Sequence, residues 1–264
     1  LFGKTGSGKT SIIRYLTGAT DAEIGNGFRP QTKFSREYSF PNEDAPLMRF
    51  VDTRGLGEAR YDAAEDIARF DDETHLMIVV VRAMDHALSD IVQPLSEILK
   101  SRRARPVLLA LTCLHEADPG QQHPEPDPFS SAGNPDAVPD DLRRCLEQQK
   151  SRFSGLADEV VPIDLTQEHE GFDESDFGGD RLKDAVIRLL PAAYRHSVAG
   201  FEEARKSLRS LNESRALPEI VSHSVLAATA AAVPVPWVDI PGVLGIQSNL
   251  VRRIARIYGQ EMSS

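Results

Sequence analysis

Residues 3–10 read Gly3-Lys4-Thr5-Gly6-Ser7-Gly8-Lys9-Thr10, and the architecture of the chain can be worked out from this segment. It matches the pattern G-x-x-x-x-G-K-[ST] at every required position. The glycines let successive backbone N–H groups converge on one anion, and the next helix points the positive end of its dipole at it. Lys9 is expected to reach the β- and γ-phosphates of a nucleotide, and the Thr10 hydroxyl to ligate Mg²⁺. The segment predicts a phosphate-binding loop, with an ordinary glycine-rich turn as the alternative.

A helix is predicted directly after this loop, over Ser11 to Leu16. Since amides of the loop and of the first helical turn face the anion together, we expect one continuous nucleotide-binding set. Its members are Gly3, Lys4, Thr5, Gly6, Ser7, Gly8, Lys9, Thr10 and Ser11. The chain opens at Leu1-Phe2 without an initiator methionine, so we expect a truncated start that nearly lacks the strand before the loop.

A second motif follows a predicted hairpin. Phe34–Phe40 alternates as a strand, Pro41–Pro46 indicates the turn, and Leu47–Val51 is a second strand. That strand leads into Asp52-x-x-Gly55. An acidic residue at the carboxyl end of a strand beside a phosphate loop holds Mg²⁺, often through water, and the glycine N–H can approach a γ-phosphate. D-x-x-G alone is weak, but after the phosphate loop and a strand it is specific.

The two motifs, with the intervening segment Pro30-Gln31-Thr32-Lys33, resemble those of a TrmE–Era-type small GTPase. The resemblance implies that Thr32 covers Mg²⁺ and the γ-phosphate when the first switch is ordered. It also implies that Asp52 binds the Mg²⁺ shell and that Gly55 contacts the γ-phosphate. The implied catalytic residues are Lys9, Thr32 and Gly55, and the implied metal ligands are Thr10, Thr32 and Asp52.

Three positions depart from the patterns of related enzymes. Leu56 stands where Ras-like enzymes carry the glutamine that orients the attacking water, so the water must be positioned otherwise. Gly6 occupies the position of an asparagine that recruits K⁺ in some family members, so no K⁺ dependence is expected. Arg54 has two interpretations: a charge-stabilising group beside the γ-phosphate, or a solvated or salt-bridged loop residue, which we favour because charged side chains are usually exposed.

Buried strands alternate with helices through the middle of the chain. The runs His75–Val81 and Pro106–Leu111 are continuously apolar, as in strands covered on both faces, whereas Tyr61–Asp72 and Ala87–Ser101 show helical spacing. The pattern predicts an α/β fold, a three-layer P-loop NTPase domain with a mostly parallel sheet. Its ligand is expected at the carboxyl ends of the strands.

The base-recognition motif is degraded. A GTPase should show [NT]-K-x-D after the second buried strand, but the chain reads Thr112-Cys113-Leu114-His115. A neutral imidazole has one acceptor nitrogen and cannot replace a carboxylate that accepts from guanine N1–H and N2–H₂. Glu116 or Asp118 could substitute after a loop shift, and the Leu165 N–H could reach a base carbonyl. Thr112 and Leu165 complete the predicted nucleotide-binding set, and guanine as the base rests on the resemblance.

Pro119–Pro139 is an unusually long polar loop beside the predicted base pocket. A metal cluster of Cys113, His115 and His123 is one interpretation, but the spacing fits no standard zinc pattern, and we favour a variable insertion. The formal net charge of −10 argues against a general nucleic-acid-binding surface. Only two cysteines and no visible secretory signal favour a cytoplasmic location.

The last part of the chain changes character, and we predict a domain boundary between residues 1–194 and a small all-helical module over 195–264. A charged helical segment over 197–215 precedes the apolar run Val225–Val233, the proline-rich break 234–242 and a second helix over 243–258. It resembles the helical domain of unknown function that follows Era-like GTPase domains and occurs in some bacterial inner-membrane proteins.

Three interpretations of this module compete. We favour a helical hairpin packed on itself or on the nucleotide domain, because neither arm has the roughly 20 apolar residues of a spanning helix. The alternatives place Trp237 and nearby arginines at the inner-membrane surface, or use residues 225–258 to bind a protein partner or a second copy.

Together these features predict a Mg²⁺-dependent GTPase that hydrolyses GTP slowly to GDP and phosphate and acts as a conformational switch. Loss of the γ-phosphate would reorder the Thr32 and Gly55 loops. A partner or a homodimer is expected to complete the degraded catalytic site. The alternatives are an ATP-dependent enzyme of another P-loop class and a non-hydrolysing adaptor in which nucleotide only stabilises the fold.

Overall fold

The computed structural model describes residues 1–20, 29–30, 35–44, 46–53, 74–101, 105–117, 122–131, 133–191, 194, 211–231 and 239–258. The chain divides into two compact units. The first contains Leu1–Tyr38 and Phe50–Leu190, and the second contains Ser39–Arg49 and Pro191–Ser264. The predicted fold class is confirmed, because the first unit is mixed α/β with a parallel sheet and the C-terminal segment is helical.

The larger sheet is built from three apolar segments, β4 (Met77–Arg82), β5 (Val107–Thr112) and β6 (Glu159–Pro162). The strands are parallel and lie in the order β4-β5-β6. Every residue of β5 is buried, which explains its continuous apolar run. The carboxyl ends of β5 and β6 therefore lie side by side at one edge.

Three helices connect and cover these strands: α2 (Ser89–Ser101), α3 (Asp140–Arg152) and α4 (Gly179–Leu189). Their apolar stripes follow helical spacing, and side chains from α2 and α3 join those of the sheet in one hydrophobic core. The core includes Phe2, Val79, Leu109, Leu95 and Leu146. The order of these elements confirms the predicted alternation of strands and helices.

The residues before the phosphate loop extend the sheet beside β4. Phe2 N donates to Ile78 O at 2.8 Å, Val80 N donates to Phe2 O at 2.7 Å, and Phe2 pairs in parallel with Val79. The Leu1 amino group donates to Val51 O at 2.7 Å. Leu1-Phe2 thus occupies the position expected for the strand that leads into the phosphate loop.

A smaller sheet precedes β4 and consists of β1 (Arg29–Pro30), β2 (Ser35–Phe40) and β3 (Met48–Thr53) in that order. The predicted hairpin lies between β2 and β3, where Leu47 N donates to Phe40 O at 2.7 Å. The structure assigns the tip of this hairpin, residues 39–49, to the second unit. The helix predicted over 61–72 lies outside the described residues.

The second unit contains two long helices that pack against each other, α5 (Leu211–Ala231) and α6 (Asp239–Ile257). Helix α5 continues through Pro218. The predicted break over 234–242 is too long, because α6 already begins at Asp239 and its first turn accommodates Pro241, where a missing N–H costs little. Among the described helices, none is both long and apolar enough to cross a membrane.

Polar side chains of this second unit form what we call the Glu219 cluster: Asn42, Asp44, Glu219, His223 and Arg253. Asn42 Nδ2 donates to Glu219 Oε2 at 2.8 Å, and Arg253 Nη1 lies 3.8 Å from Glu219 Oε1. Arg253 also pairs with Asp44, and His223 is buried beside Glu219. The cluster therefore ties the hairpin tip to α5 and α6 within one unit.

Candidate functional site

The phosphate loop is shaped by two glycines that no other residue could replace without strain. A Cβ at Gly3 would overlap the carbonyl oxygen of Val80, so the loop can press against β4 only with glycine there. Gly8 has φ 90° and forms the N-cap of helix α1 (Lys9–Thr17). No side chain of the described residues caps this helix end, which is typical of helix starts that bind an anion.

The predicted nucleotide-binding residues of the loop differ in accessibility. Gly3 and Ser7 are buried, whereas Thr5, Gly6 and Thr10 are exposed. The remaining predicted members are partly exposed: Lys4, Gly8, Lys9 and Ser11. The loop therefore exposes Thr5, Gly6 and Thr10 to solvent, while Gly3 and Ser7 are buried in the fold.

Lys9 is folded over the loop that precedes it. Its Nζ donates to Gly3 O at 2.9 Å and to Lys4 O at 2.8 Å, and it lies 3.8 Å from Asp52 Oδ1. The structure thus brings together the lysine of the first motif and the aspartate of the second. Phosphate oxygens could replace the two carbonyl acceptors, because both kinds of group accept from an ammonium.

Asp52 carries an unsatisfied acceptor. Its Oδ1 atom is buried and makes no hydrogen bond within the part of the chain that the structure describes. A carboxylate oxygen and the exposed Thr10 hydroxyl are the hard oxygen donors that Mg²⁺ takes. These residues fit a Mg²⁺ ion. Four positions discussed from the sequence, Thr32, Arg54, Gly55 and Leu56, lie outside the described residues.

Lys4 has a structural partner beside the loop. Its Nζ donates to Asp85 Oδ2 at 2.9 Å and also to Ala87 O. Burial alone would raise the pKa of the Asp85 carboxyl, but the Lys4 and Ala87 hydrogen bonds and the charges of Lys4 and Arg82 outweigh burial and lower it. The Lys4 side chain therefore holds the loop to the segment after β4.

At the other end of the candidate site, Thr112 joins strand β5 to the phosphate loop. Its Oγ1 donates to Ser7 O at 2.8 Å and approaches Val81 O at 3.2 Å. Cys113 then adopts φ 56°, and residues Leu114–Ala117 form a short 3₁₀ helix. Burial raises the pKa of the Cys113 thiol.

His115, which stands at the position of the expected guanine-binding aspartate, is paired with Asp164. The His115 backbone N–H donates to Asp164 Oδ2 at 2.7 Å, and the His115 Nδ1 atom lies 2.8 Å from the same oxygen. Asp164 is buried and follows β6, the strand next to β5. Sequence reasoning missed this pair, although both residues follow adjacent parallel strands.

Two other positions that were predicted to bind the base, Glu116 and Leu165, contact arginine side chains. The Glu116 carboxylate pairs with Arg82, and that hydrogen bond raises the pKa of the Arg82 guanidinium. Leu165 O accepts from Arg14 of helix α1 at 3.3 Å, which fixes the segment after Asp164. Asp118 lies outside the described residues.

His123, in the long insertion, is buried between two aromatic rings. Its ring stacks on Phe172 at 4.8 Å and on Phe177 at 4.4 Å between centroids, and His123 Nε2 lies 3.3 Å from Asp164 Oδ2. In the described ranges, no group of three or more histidine, cysteine or carboxylate side chains is arranged to hold a metal ion. His123 therefore packs in the fold as an aromatic side chain.

Comparisons with known proteins agree with this geometry. Residues 1–113 match the family model described as 50S ribosome-binding GTPase. The first unit has the α/β fold of a P-loop NTPase, with a parallel sheet between helices. The matched residues end at Cys113, two positions before His115. The match therefore includes the phosphate loop and the Asp52-x-x-Gly55 motif, but it does not reach the residue expected to bind the base. Residues 198–264 match a model described as a domain of unknown function, DUF697.

No curated protein matches this chain. Among solved structures, it is similar to the Roco2 RocCORdC protein of Methanosarcina barkeri bound to GDP, with 15% identity and a TM-score of 0.32. The alignment covers 97% of this chain and 65% of that chain, so this chain spans less than two thirds of that relative. So distant a similarity carries no information about activity.

Proposed function

We propose that this chain is a Mg²⁺-dependent GTPase switch of the TrmE–Era type. The observation that carries the proposal is the approach of Lys9 Nζ to Asp52 Oδ1, 3.8 Å apart, at the mouth of a backbone-lined loop. A cation and an unsatisfied carboxylate oxygen side by side suit a bound polyphosphate with its metal. The matched GTPase family model over residues 1–113 supports the same class.

Each residue has a proposed role in binding. Lys9 exchanges its two carbonyl acceptors for β- and γ-phosphate oxygens, while amides from Gly3 to Ser11 surround the phosphates. Thr10, Thr32 and Asp52 would hold Mg²⁺, which when bound neutralises charge that develops on the phosphates. Thr112 acts through the loop that it fixes, and Leu165 is proposed to contact the base through its backbone.

In the proposed reaction, a water oxygen attacks the γ-phosphorus in line, the bond to the β–γ bridging oxygen breaks, and GDP and inorganic phosphate leave. Gly55 and Thr32 would contact the γ-phosphate and release it with the switch loops. Leu56 cannot orient the water, because its side chain has no hydrogen-bonding group. A partner protein or a second copy is therefore proposed to complete catalysis.

Residues 195–264 are proposed as the output module of this switch. Two mutually packed helices support the helical-hairpin interpretation, with a membrane surface, a protein partner or a second copy as alternative contacts of residues 225–258. A cytoplasmic location, with peripheral contact at the inner membrane as the alternative, remains part of this proposal.

Competition binding tests the proposed function. Unlabelled GTP and ATP compete for a fluorescent GTP analogue on the purified chain, with and without Mg²⁺. We expect GTP to be preferred and the Lys9→Ala variant to lose about 100-fold in triphosphate affinity, since the proposed charge-assisted contact to phosphate disappears. Lys150→Ala, which changes an exposed lysine on α3, is the matched control.

Two results would overturn the proposal. Undiminished affinity of the Lys9→Ala variant would show that the loop does not bind the phosphates. A preference for ATP would support the alternative of another P-loop class, since the usual guanine-binding carboxylate is replaced by histidine at position 115.

A further inference from the structure

We infer that His115, oriented by Asp164, recognises the purine base, and that it accepts one N–H group of the base where a carboxylate would accept two. The inference rests on the proposed nucleotide-binding function and specifies the selectivity of that site. It changes the expected ligand from guanine alone to purines that carry an N1–H group, guanine and hypoxanthine.

The position of His115 follows from three links at one edge of the sheet. Thr112 fixes the carboxyl end of β5 to the phosphate loop at Ser7 O, 2.8 Å away, and His115 follows three positions later. Asp164 follows β6, whose Pro162 pairs with Leu111 of β5. Arg14 of α1 binds Leu165 O, so the helix behind the phosphate loop also fixes this segment.

Asp164 determines which nitrogen of His115 can accept. The carboxylate lies 2.8 Å from Nδ1, so in the neutral imidazole Nδ1 carries the proton and Nε2 carries the lone pair. The backbone N–H of His115 donates to the same carboxylate at 2.7 Å, and the edge of the ring contacts Phe172 at 5.7 Å between centroids. These contacts fix the orientation of the ring.

Nε2 is available to a ligand. The His115 side chain is 33% exposed, and its Nε2 makes no hydrogen bond with any residue that the structure describes. The two nearby carboxylates already have partners. Glu116 pairs with Arg82, and the Asp164 side chain is 3% exposed, with both oxygens near His115 Nδ1 and Oδ2 also near His123 Nε2. Among the described residues that follow β5 and β6, His115 Nε2 is therefore the acceptor that we assign to the base.

A single acceptor predicts a specific order of affinities. Guanine and hypoxanthine both present N1–H, and they differ in the N2 amino group that a second acceptor would need. GTP and ITP should therefore bind equally well. Adenine has a lone pair at N1, which in the same position would face the lone pair of Nε2, so ATP should bind more weakly.

The test measures GTP, ITP and ATP in competition with a fluorescent GTP analogue on the full chain. We expect GTP and ITP affinities within about threefold of each other, and ATP weaker by about tenfold or more. The His115→Asp variant should raise the ratio of GTP to ITP affinity by about tenfold, because a carboxylate can also accept from the N2 amino group. His169→Ala, an exposed histidine after β6, is the control and should leave every ratio unchanged.

A second variant guards against loss of folding. His115→Gln keeps an N–H donor for the buried Asp164 carboxylate and an acceptor for the base, so it should retain the equal affinities for GTP and ITP. Asp164→Asn tests the positioning role. Its one oxygen would accept from the His115 backbone N–H, and its N–H₂ group would then face Nδ1 and place the imidazole proton on Nε2. The preference for GTP over ATP should therefore fall while Lys9 remains essential for binding.

The outcomes separate the two proposals. If triphosphates bind in a Lys9-dependent way but the wild-type chain prefers GTP to ITP by tenfold or more, the inference about His115 is wrong and the proposed function stands. Ratios that do not change in His115→Asp overturn it in the same way. If Lys9→Ala has no effect, the proposed function itself fails.

Discussion

The two ends of the candidate nucleotide site are built by different means. At the phosphate end, contiguous backbone groups shape the loop, and Gly3 and Gly8 allow the path that they follow. At the base end, His115 and Asp164 lie 49 positions apart and meet because their strands are neighbours. A backbone cradle requires a fixed short pattern, whereas a side-chain contact across strands can change residue by residue without loss of the fold.

The largest effect should come from Gly3→Ala. The added Cβ overlaps the Val80 carbonyl oxygen, a backbone atom that cannot move without disturbing β4. We expect a loss of about 3 kcal/mol in the free energy of unfolding, measured by thermal or urea denaturation, together with loss of nucleotide binding.

Gly245→Ala is the matched control for this substitution. It adds the same methyl group in α6, where no atom lies within 4 Å of the built Cβ, and it should stabilise the helix by up to about 1 kcal/mol. Equal changes in the free energy of unfolding for the two variants would contradict the conclusion that the close contact with the Val80 backbone requires glycine at position 3.

Asp52→Asn should have an intermediate effect confined to the phosphate end. The amide keeps the size of the side chain and removes its charge, so we expect the Mg²⁺-dependent gain in GTP affinity to fall by about tenfold. The ratio of GTP to ITP affinity should not change. Titration of Mg²⁺ at fixed GTP measures the effect, with Asp184→Asn on the exposed face of α4 as the control.

A change in the ratio of GTP to ITP affinity in Asp52→Asn would show that the phosphate end and the base end of the site do not act independently. A Mg²⁺ dependence equal to that of the unchanged chain would instead remove Asp52 from the proposed metal ligands.

The smallest effect concerns Cys113 at the base end. Because burial raises the pKa of its thiol above the ordinary value, the thiolate fraction at neutral pH is small. Alkylation by iodoacetamide should therefore be slower than for an exposed cysteine peptide and should keep accelerating with pH above the range where that peptide has levelled off. Mass spectrometry of the Cys113 peptide gives the rate, with the Cys113→Ser variant as a blank.

We expect bound GTP to slow this alkylation further, because the base would cover the segment after β5. A Cys113 rate equal to that of the peptide, at every pH and with nucleotide present, would contradict the burial seen at this end of the site.

The sequence predicted the central elements well because their signals are local. The apolar runs 75–81 and 106–111 correspond to β4 and β5, and Asp52 was predicted next to the phosphate loop by its motif. The start of α6 was predicted too late. Pro241 and Gly242 indicate a break in the sequence, but in the structure Pro241 lies in the first turn of the helix, where proline is tolerated.

The His115–Asp164 pair could not be predicted with the same methods. Its signal is the juxtaposition of two strand ends, and that requires the order of strands in the sheet, which periodicity does not report. His123 shows the same limit: its place in a long polar insertion did not indicate that its ring would stack on Phe172 and Phe177.

The assignment of residues 39–49 to the helical unit has a consequence for how this chain can be divided. A recombinant fragment that ends near residue 190 would keep Asn42 and Asp44 but remove Glu219 and Arg253, their hydrogen-bond and ion-pair partners. Conversely, the C-terminal helices grafted alone onto another protein would carry Glu219 without its hydrogen-bond donor Asn42 and Arg253 without its ion-pair partner Asp44. The helical unit is discontinuous in the gene, so evolution could exchange it intact only together with the turn between the two motifs.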